Sequence, residues 1–126
     1  MQILVTLYLL FAGIQAPPVS ARLVPSTKFG RQGADKWNPN DHLACDPKVR
    51  LSNRMHLVAH RTLPCGTKVI VYSPRTGRSV RAYVGDRLGN HRRKDGSYFS
   101  ELDLAPATAR AIRHNGFEYI VLLVRR

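Results

Sequence analysis

A chain of 126 residues with 20 lysines and arginines against 8 aspartates and glutamates carries a formal net charge of +12. That length holds one domain plus an extension and excludes a second full domain. The charge directs the chain toward polyanions: nucleic acid, anionic cell-wall polymer or a membrane surface.

The N-terminal stretch "MQILVTLYLLFAGIQAPPVSA" bears no charged side chain. Its apolar run, residues 3–14, falls short of the about 20 residues a membrane span needs. It has the length of a signal-peptide core, and Val19, Ser20 and Ala21 supply small residues ahead of Arg22, although no Lys or Arg precedes the core. The expectation is a signal peptide over residues 1–21 and a domain over 22–126, exported to the periplasm, the cell envelope or the medium. An uncleaved N-terminal anchor is the alternative. No cysteine directly follows the apolar run, so lipid attachment is not expected. Exported proteins rarely meet nucleic acid, and the leader therefore tilts the partner toward the envelope.

Residues 22–44 are rich in Gly, Pro, Asn and Lys and read mainly as loop, with short strands around 27–29 and 43–44. Trp37 is expected in the core. Cys45 and Cys65 are the two cysteines. In an oxidising compartment they read as one disulfide in preference to two free thiols. Closing a loop of that separation stabilises a fold by about 3 kcal/mol. No CxxC spacing accompanies them, so a metal site is not expected.

"VAHRTLPCGTKVIVY", residues 58–72, sets His60, Arg61 and Thr62 ahead of a Pro-Cys-Gly turn and a β-branched strand. "PRTG", residues 74–77, is a turn, because proline presets one dihedral and glycine accepts a positive one. "RSVRAYVGD" alternates, with Val80, Ala82 and Val84 on one face and Arg81 and Tyr83 on the other, which predicts a hairpin. "GNHRRKDGS" reads as a basic loop. "APATARAIRHNG" reads as a short helix, with Pro106 at its first position and Asn115-Gly116 as its stop. Ala107, Ala111 and Ile112 are expected to face the core, and Arg110 and Arg113 to point outward. "FEYIVLLVRR" closes the sheet as a buried strand. Short strands with one late helix predict a small β-barrel.

The order "VAHRTLPCGTKVIVY", "TGRSVRAYVGDR", "ELDLAPATARAI" resembles the rare lipoprotein A group, whose members carry "AHRTLP", "V-DRGP" and "DLS" segments in that sequence. The likeness covers residues 27–124. Expansins, certain endoglucanases and a membrane-bound lytic transglycosylase share the barrel more distantly. The resemblance implies a mainly β fold, a six-stranded double-psi β-barrel with one or two short helices. It also implies a peptidoglycan-acting protein, since active members are lytic transglycosylases. These cut between N-acetylmuramic acid and N-acetylglucosamine without adding water. His60 corresponds to the histidine of "AHRTLP", Asp86 to the aspartate of "V-DRGP", and Asp103 to that of "DLS", where related barrels place a general acid. Asp35 stands near an acidic position of the group. Two departures are plain: Leu88-Gly89 replaces the group's Gly-Pro, and Ala105 replaces a helix-capping serine, which costs about 1 kcal/mol.

Cleaving a glycosidic bond needs a proton on the leaving oxygen while positive charge builds on the sugar. A carboxylic acid that supplies it near neutral pH needs burial or a neighbouring carboxylate. The expected catalytic set is Asp103 as acid/base, Asp86 to raise its pKa and steady the sugar cation, and His60 at the groove's edge. His60 would donate to a sugar hydroxyl or orient an aspartate. Asp35, Arg87 and Tyr98 are the expected substrate contacts, with Phe99 stacking or packing beside Tyr98. Plainer readings exist: Asp103 as a helix cap, Asp86 as the partner of Arg87 or Arg81, and His56, His91 and His114 as structural. Residues 91–94 and the terminal arginines read as solvated surface or as contacts to anionic wall polymer.

The expected partners are peptidoglycan glycan strands, stem-peptide-free ones included, and anionic wall polymer. No nucleic acid, cofactor or metal is expected, and the chain is read as a monomer. Two other functions compete. One is a non-catalytic glycan binder or an expansin-like wall-loosening protein. The other is a basic nucleic-acid-binding domain, which would account for the charge but leave the leader, the cysteine pair and the three motifs unexplained.

Overall fold

The computed structural model describes residues 19–29, 42–52, 54–90 and 92–125. They form β1 (Val19–Lys28), β2 (His42–Leu43), β3 (Asp46–Arg50), β4 (Leu57–Ala59), β5 (Lys68–Tyr72), β6 (Ser79–Asp86), β7 (Leu102–Leu104), α1 (Pro106–Ala111) and β8 (Phe117–Arg125). Six strands close a barrel in the order β1-β7-β4-β6-β5-β8, and β2 with β3 makes a separate two-stranded ribbon. The pairs β1–β7 and β4–β6 are parallel, and the other barrel pairs are antiparallel. Parallel neighbours cannot be joined by a tight hairpin, so the chain crosses over between them. A closed, mainly β barrel of six strands with one short helix is the fold class the sequence predicts.

Alternation places the core. Val69 and Val71 of β5, Ala82 and Val84 of β6, and Ile120 and Leu122 of β8 meet Val24, Val58, Leu102 and Leu104 inside the barrel, with Ala109 of α1 and Ile112 just after it packed among them. Each fully buried Val, Leu or Ile contributes about 1.5–3 kcal/mol. A second cluster of Leu43, Leu57 and Ala105, backed by Phe29, Val49, Leu51 and Met55, holds the ribbon against the barrel. The predicted hairpin is present: β5 and β6 pair from Lys68↔Tyr83 to Tyr72↔Ser79, and the Gly77 N–H donates to the Ser73 carbonyl at 2.8 Å. Gly77 has φ 73°, the positive value its turn requires.

Much of the stretch read as loop is strand: β1 runs ten residues and pairs with β8 from Val19↔Arg125 to Thr27↔Phe117. Its alternation is hidden because the buried row includes Ser26 while Leu23 faces solvent. Ser26 is tolerated inside because its hydroxyl donates to the Glu118 carbonyl (2.7 Å) and lies 2.8 Å from His114 Nε2. Pro25 fits because its carbonyl, which accepts from the Glu101 N–H at 2.9 Å, faces the β7 side; the N–H it lacks falls there too, ahead of the first β1–β7 pair and outside the β8 ladder.

The helix ends before the predicted stop. Ile112 is its C-cap and Arg113 takes the left-handed conformation at φ 55°. Asn115 and Gly116 instead lead up to β8, their N–H groups donating to Glu118 Oε2 and His114 Nδ1 at 3.0 Å each. Finally, β1 begins at Val19, so the expected leader boundary after Ala21 falls inside a paired strand. The apolar run 3–14, Asp35, Trp37 and His91 lie outside the described residues.

Candidate active-site cleft

The cleft follows from strand register. Ala59 of β4 pairs with Asp86 of β6 on one side and with Asp103 of β7 on the other, and Asp103 pairs with Thr27 of β1. One transverse row across four strands therefore reads Asp86, Ala59, Asp103, Thr27. Adjacent strands lie about 4.8 Å apart, so the two aspartates flank one methyl side chain with their Cα atoms about 10 Å apart. A register shift between Val58 and Ala59 sets Asp86 in that row. Above it opens a cleft of about 330 Å³, lined among the described residues by Phe29, His42, Leu43, Leu51, Ala59, Asp86, Arg87 and Asp103.

The β2–β3 ribbon is the cleft's outer wall, and its turn is anchored three ways. Cys45 is bonded to Cys65 with Cα atoms 5.6 Å apart, as the sequence predicts. The Cys45 N–H donates to the Gly85 carbonyl (3.4 Å), and the Ala44 N–H to Asp86 Oδ1 (2.9 Å).

Asp103 is the unusual group. Burial pushes its carboxyl up to about 6; nearby Asp86 adds to the rise, and a hydrogen bond from Thr27 opposes it. Burial, not the second carboxylate, is the main cause, which revises the expected balance. Among the described residues, Thr27 Oγ1 is the one donor to the carboxylate, at 2.9 Å from Oδ1. Thr27 Oγ1 also lies 3.1 Å from Ser100 Oγ, which donates to the Leu102 carbonyl at 2.8 Å. A hydroxyl carries one hydrogen. Thr27 can point it at an ionised Asp103 and turn it toward Ser100 when Asp103 is protonated, so the pair accommodates both states. Asp103 caps nothing: the N-cap of α1 is Ala105, which makes no side-chain cap bond.

Asp86 faces the same cleft, held by two backbone donors. Its Oδ1 accepts the N–H groups of Ala44 and Arg87, each at 2.9 Å, and among the described residues neither Arg81 nor the Arg87 guanidinium pairs with it. The Arg87 side chain lines the cleft but is fixed to the loop after β4. Its Nη1 donates to the carbonyls of Leu63 (2.6 Å) and His60 (3.2 Å), and Nη2 lies 3.4 Å from Cys65 Sγ.

His60 does not stand among the residues lining the cleft. Its ring is buried, and Nδ1 accepts the N–H groups of Thr62 and Leu63, both at 3.1 Å. The hydrogen of the neutral ring then sits on Nε2, 3.6 Å from Glu101 Oε2. Burial lowers its pKa despite the opposing pull of Glu101. His60 thus shapes the "HRTL" turn and orients neither aspartate. Tyr98 also lies outside the cleft lining. The guanidinium groups of Arg61 and Arg92 sit over its ring at 3.7 and 4.2 Å, which occupies the surface a sugar would stack on. Phe99 packs on Phe117 of β8 with ring centroids 5.3 Å apart.

Three contributors were not anticipated. Thr27 reaches Asp103 only because β1 runs parallel to β7, a non-local pairing without a local signal. His42 enters the cleft from the ribbon. Glu101, next to the "LDL" strand, pairs with Arg22 of β1 and faces His60. Among the described residues no three His, Cys, Asp or Glu side chains converge to hold a metal ion. No protein-family model and no curated protein matches the chain.

Proposed function

We propose that the chain is an exported, glycan-cleaving protein of the cell envelope, a lytic transglycosylase acting on peptidoglycan, with Asp103 as its acid/base. The observation that carries this reading is a carboxyl raised to about 6 in an open cleft, two strands from a second carboxylate. At pH 7 such a group is protonated in roughly one molecule in ten, while an ordinary aspartate is protonated in about one in a thousand.

The chemistry needs one acid. Protonated Asp103 gives its hydrogen to the bridging oxygen as the bond from that oxygen to the muramic C1 breaks. The resulting carboxylate takes the proton of the sugar's own C6 hydroxyl, whose oxygen bonds to C1 and closes a 1,6-anhydro ring. The proton count balances and no water enters. The Asp86 carboxylate across Ala59 stabilises the positive charge on the ring as it develops.

The test is incubation of stem-peptide-free glycan strands in heavy-oxygen water, with mass spectrometry of the ends. The expected product is 1,6-anhydro ends free of heavy oxygen; labelled reducing ends would make the protein a hydrolase. A second reading, a non-catalytic glycan binder or wall-loosening protein, draws on His60 lying outside the cleft lining and on the fixed Arg87. It predicts retention on insoluble glycan with no new ends.

A further inference from the structure

The outer face of the β5–β6 hairpin carries a second depression, of about 460 Å³. Outward alternation puts Lys68 opposite Tyr83 and Ile70 opposite Arg81, so Lys68 and Arg81 are diagonal neighbours about 7–8 Å apart. Arg54 and His56, from the segment before β4, and Arg125, at the end of β8, complete its rim. All four cations are exposed, and none forms an ion pair among the described residues. Arg22 and Arg75 behave differently, each meeting a carboxylate, Glu101 and Glu118. Four positive groups in one groove, with no acidic side chain among its lining residues, repel one another, and a bound polyanion relieves that repulsion.

We propose that this groove binds a linear phosphodiester polymer of the cell wall, its phosphates lying along Lys68, Arg81, Arg54 and Arg125. The groove supplies charge but lacks Asn, Gln, Asp and Glu to address adenine and cytosine edges, and beside the His56 imidazole its one large aromatic ring is Tyr83, where single-stranded nucleic-acid sites stack successive bases on several. The choice of a wall polymer rests on the envelope half of the proposed function and not on cleavage. A groove separate from the cleft could hold the protein on the wall while the cleft works along a glycan strand.

The test is binding of the full chain to a polyglycerol-phosphate oligomer, measured against salt concentration. Four phosphate contacts give a slope of log K against log salt near −3, and Lys68→Thr with Arg81→Thr should lower its magnitude by about 1.4. The same double variant should bind roughly 10- to 30-fold more weakly at physiological salt. Arg93→Thr with Lys94→Thr removes the same charge from the 90s loop and should change binding less than threefold. Equal losses in the two double variants would mean attraction by net charge alone and overturn the site. So would an unchanged affinity in the groove variant, with circular dichroism checking that both variants fold. Tighter binding of a single-stranded DNA oligomer of equal charge, lost in the groove variant, would overturn the polymer assignment. Because no bond is cut in this assay, its outcome is separate from that of the cleavage test.

Discussion

Replacing Asp103 with asparagine should stabilise the protein at neutral pH. The side chain keeps its shape, and its carbonyl can still accept from Thr27, but the ionisable group is gone. In the native protein, burial raises this carboxyl from an ordinary 3.8 to about 6, with Asp86 adding and Thr27 opposing. Between those values the folded state holds a proton that the unfolded chain has released, so stability falls as pH rises through the window. At 1.36 kcal/mol per pKa unit the cost above pH ~6 reaches about 3 kcal/mol, and water at the cleft mouth trims it to about 2. That is a large fraction of a typical 5–15 kcal/mol stability. Urea denaturation of wild type and Asp103→Asn below pH ~4 and above pH ~7 reads it directly. The variant should match wild type in acid and exceed it by about 2 kcal/mol at neutral pH. A difference that does not change with pH would mean that Asp103 titrates as an ordinary aspartate, and the acid/base argument would fail with it.

Thr27→Val removes the hydroxyl that favours the ionised form, so the Asp103 carboxyl should rise by about one further unit in a carbon-13 NMR titration; an unmoved titration would deny Thr27 its role. Reduction of the Cys45–Cys65 bridge should cost about 3 kcal/mol in a denaturation curve and speed proton exchange at Ala44 and Cys45, the residues that fix the ribbon over the cleft. Glu118 is buried, which alone would raise its pKa, but donors from Asn115, Ser73 and Arg75, with the charge of His114, outweigh burial and lower it. Its contribution is therefore present above the ordinary glutamate range and lost as pH falls through the lower folded value. Glu118→Gln should destabilise by about 1–3 kcal/mol at neutral pH, with the gap closing in acid.

Local patterns carried much of the fold. The alternation in "RSVRAYVGD", the "PRTG" turn and Pro106 at the helix start each encode structure within a few residues, and each is found where its pattern places it. The Cys45–Cys65 bridge was legible from an even cysteine pair. What stayed hidden depends on contacts between distant segments. β1 is held by backbone pairing with β8, which rescues a strand containing a proline, a buried serine and an exposed leucine. The candidate site divides along the same line. Asp86 and Asp103 end up in one row because their motifs fall on strands flanking β4. His60 was expected at the cleft because a histidine before a turn looks available, but its Nδ1 is engaged by the turn's own N–H groups. Tyr98 reads from the sequence equally as a sugar platform or as core packing, and the guanidinium groups of Arg61 and Arg92 over its ring come from contacts that the local pattern does not encode.

The proposed cleavage requires a single proton held by Asp103 and delivered within the cleft. The most direct measurement is the rate at which 1,6-anhydro ends appear from stem-peptide-free glycan, across pH, for wild type and for Asp103→Asn. Wild type should lose activity as pH rises above about 6, and the variant, folded and at least as stable at neutral pH, should release anhydro ends more than about 100-fold more slowly. Release by Asp103→Asn at the wild-type rate would contradict the assignment of that residue as the acid.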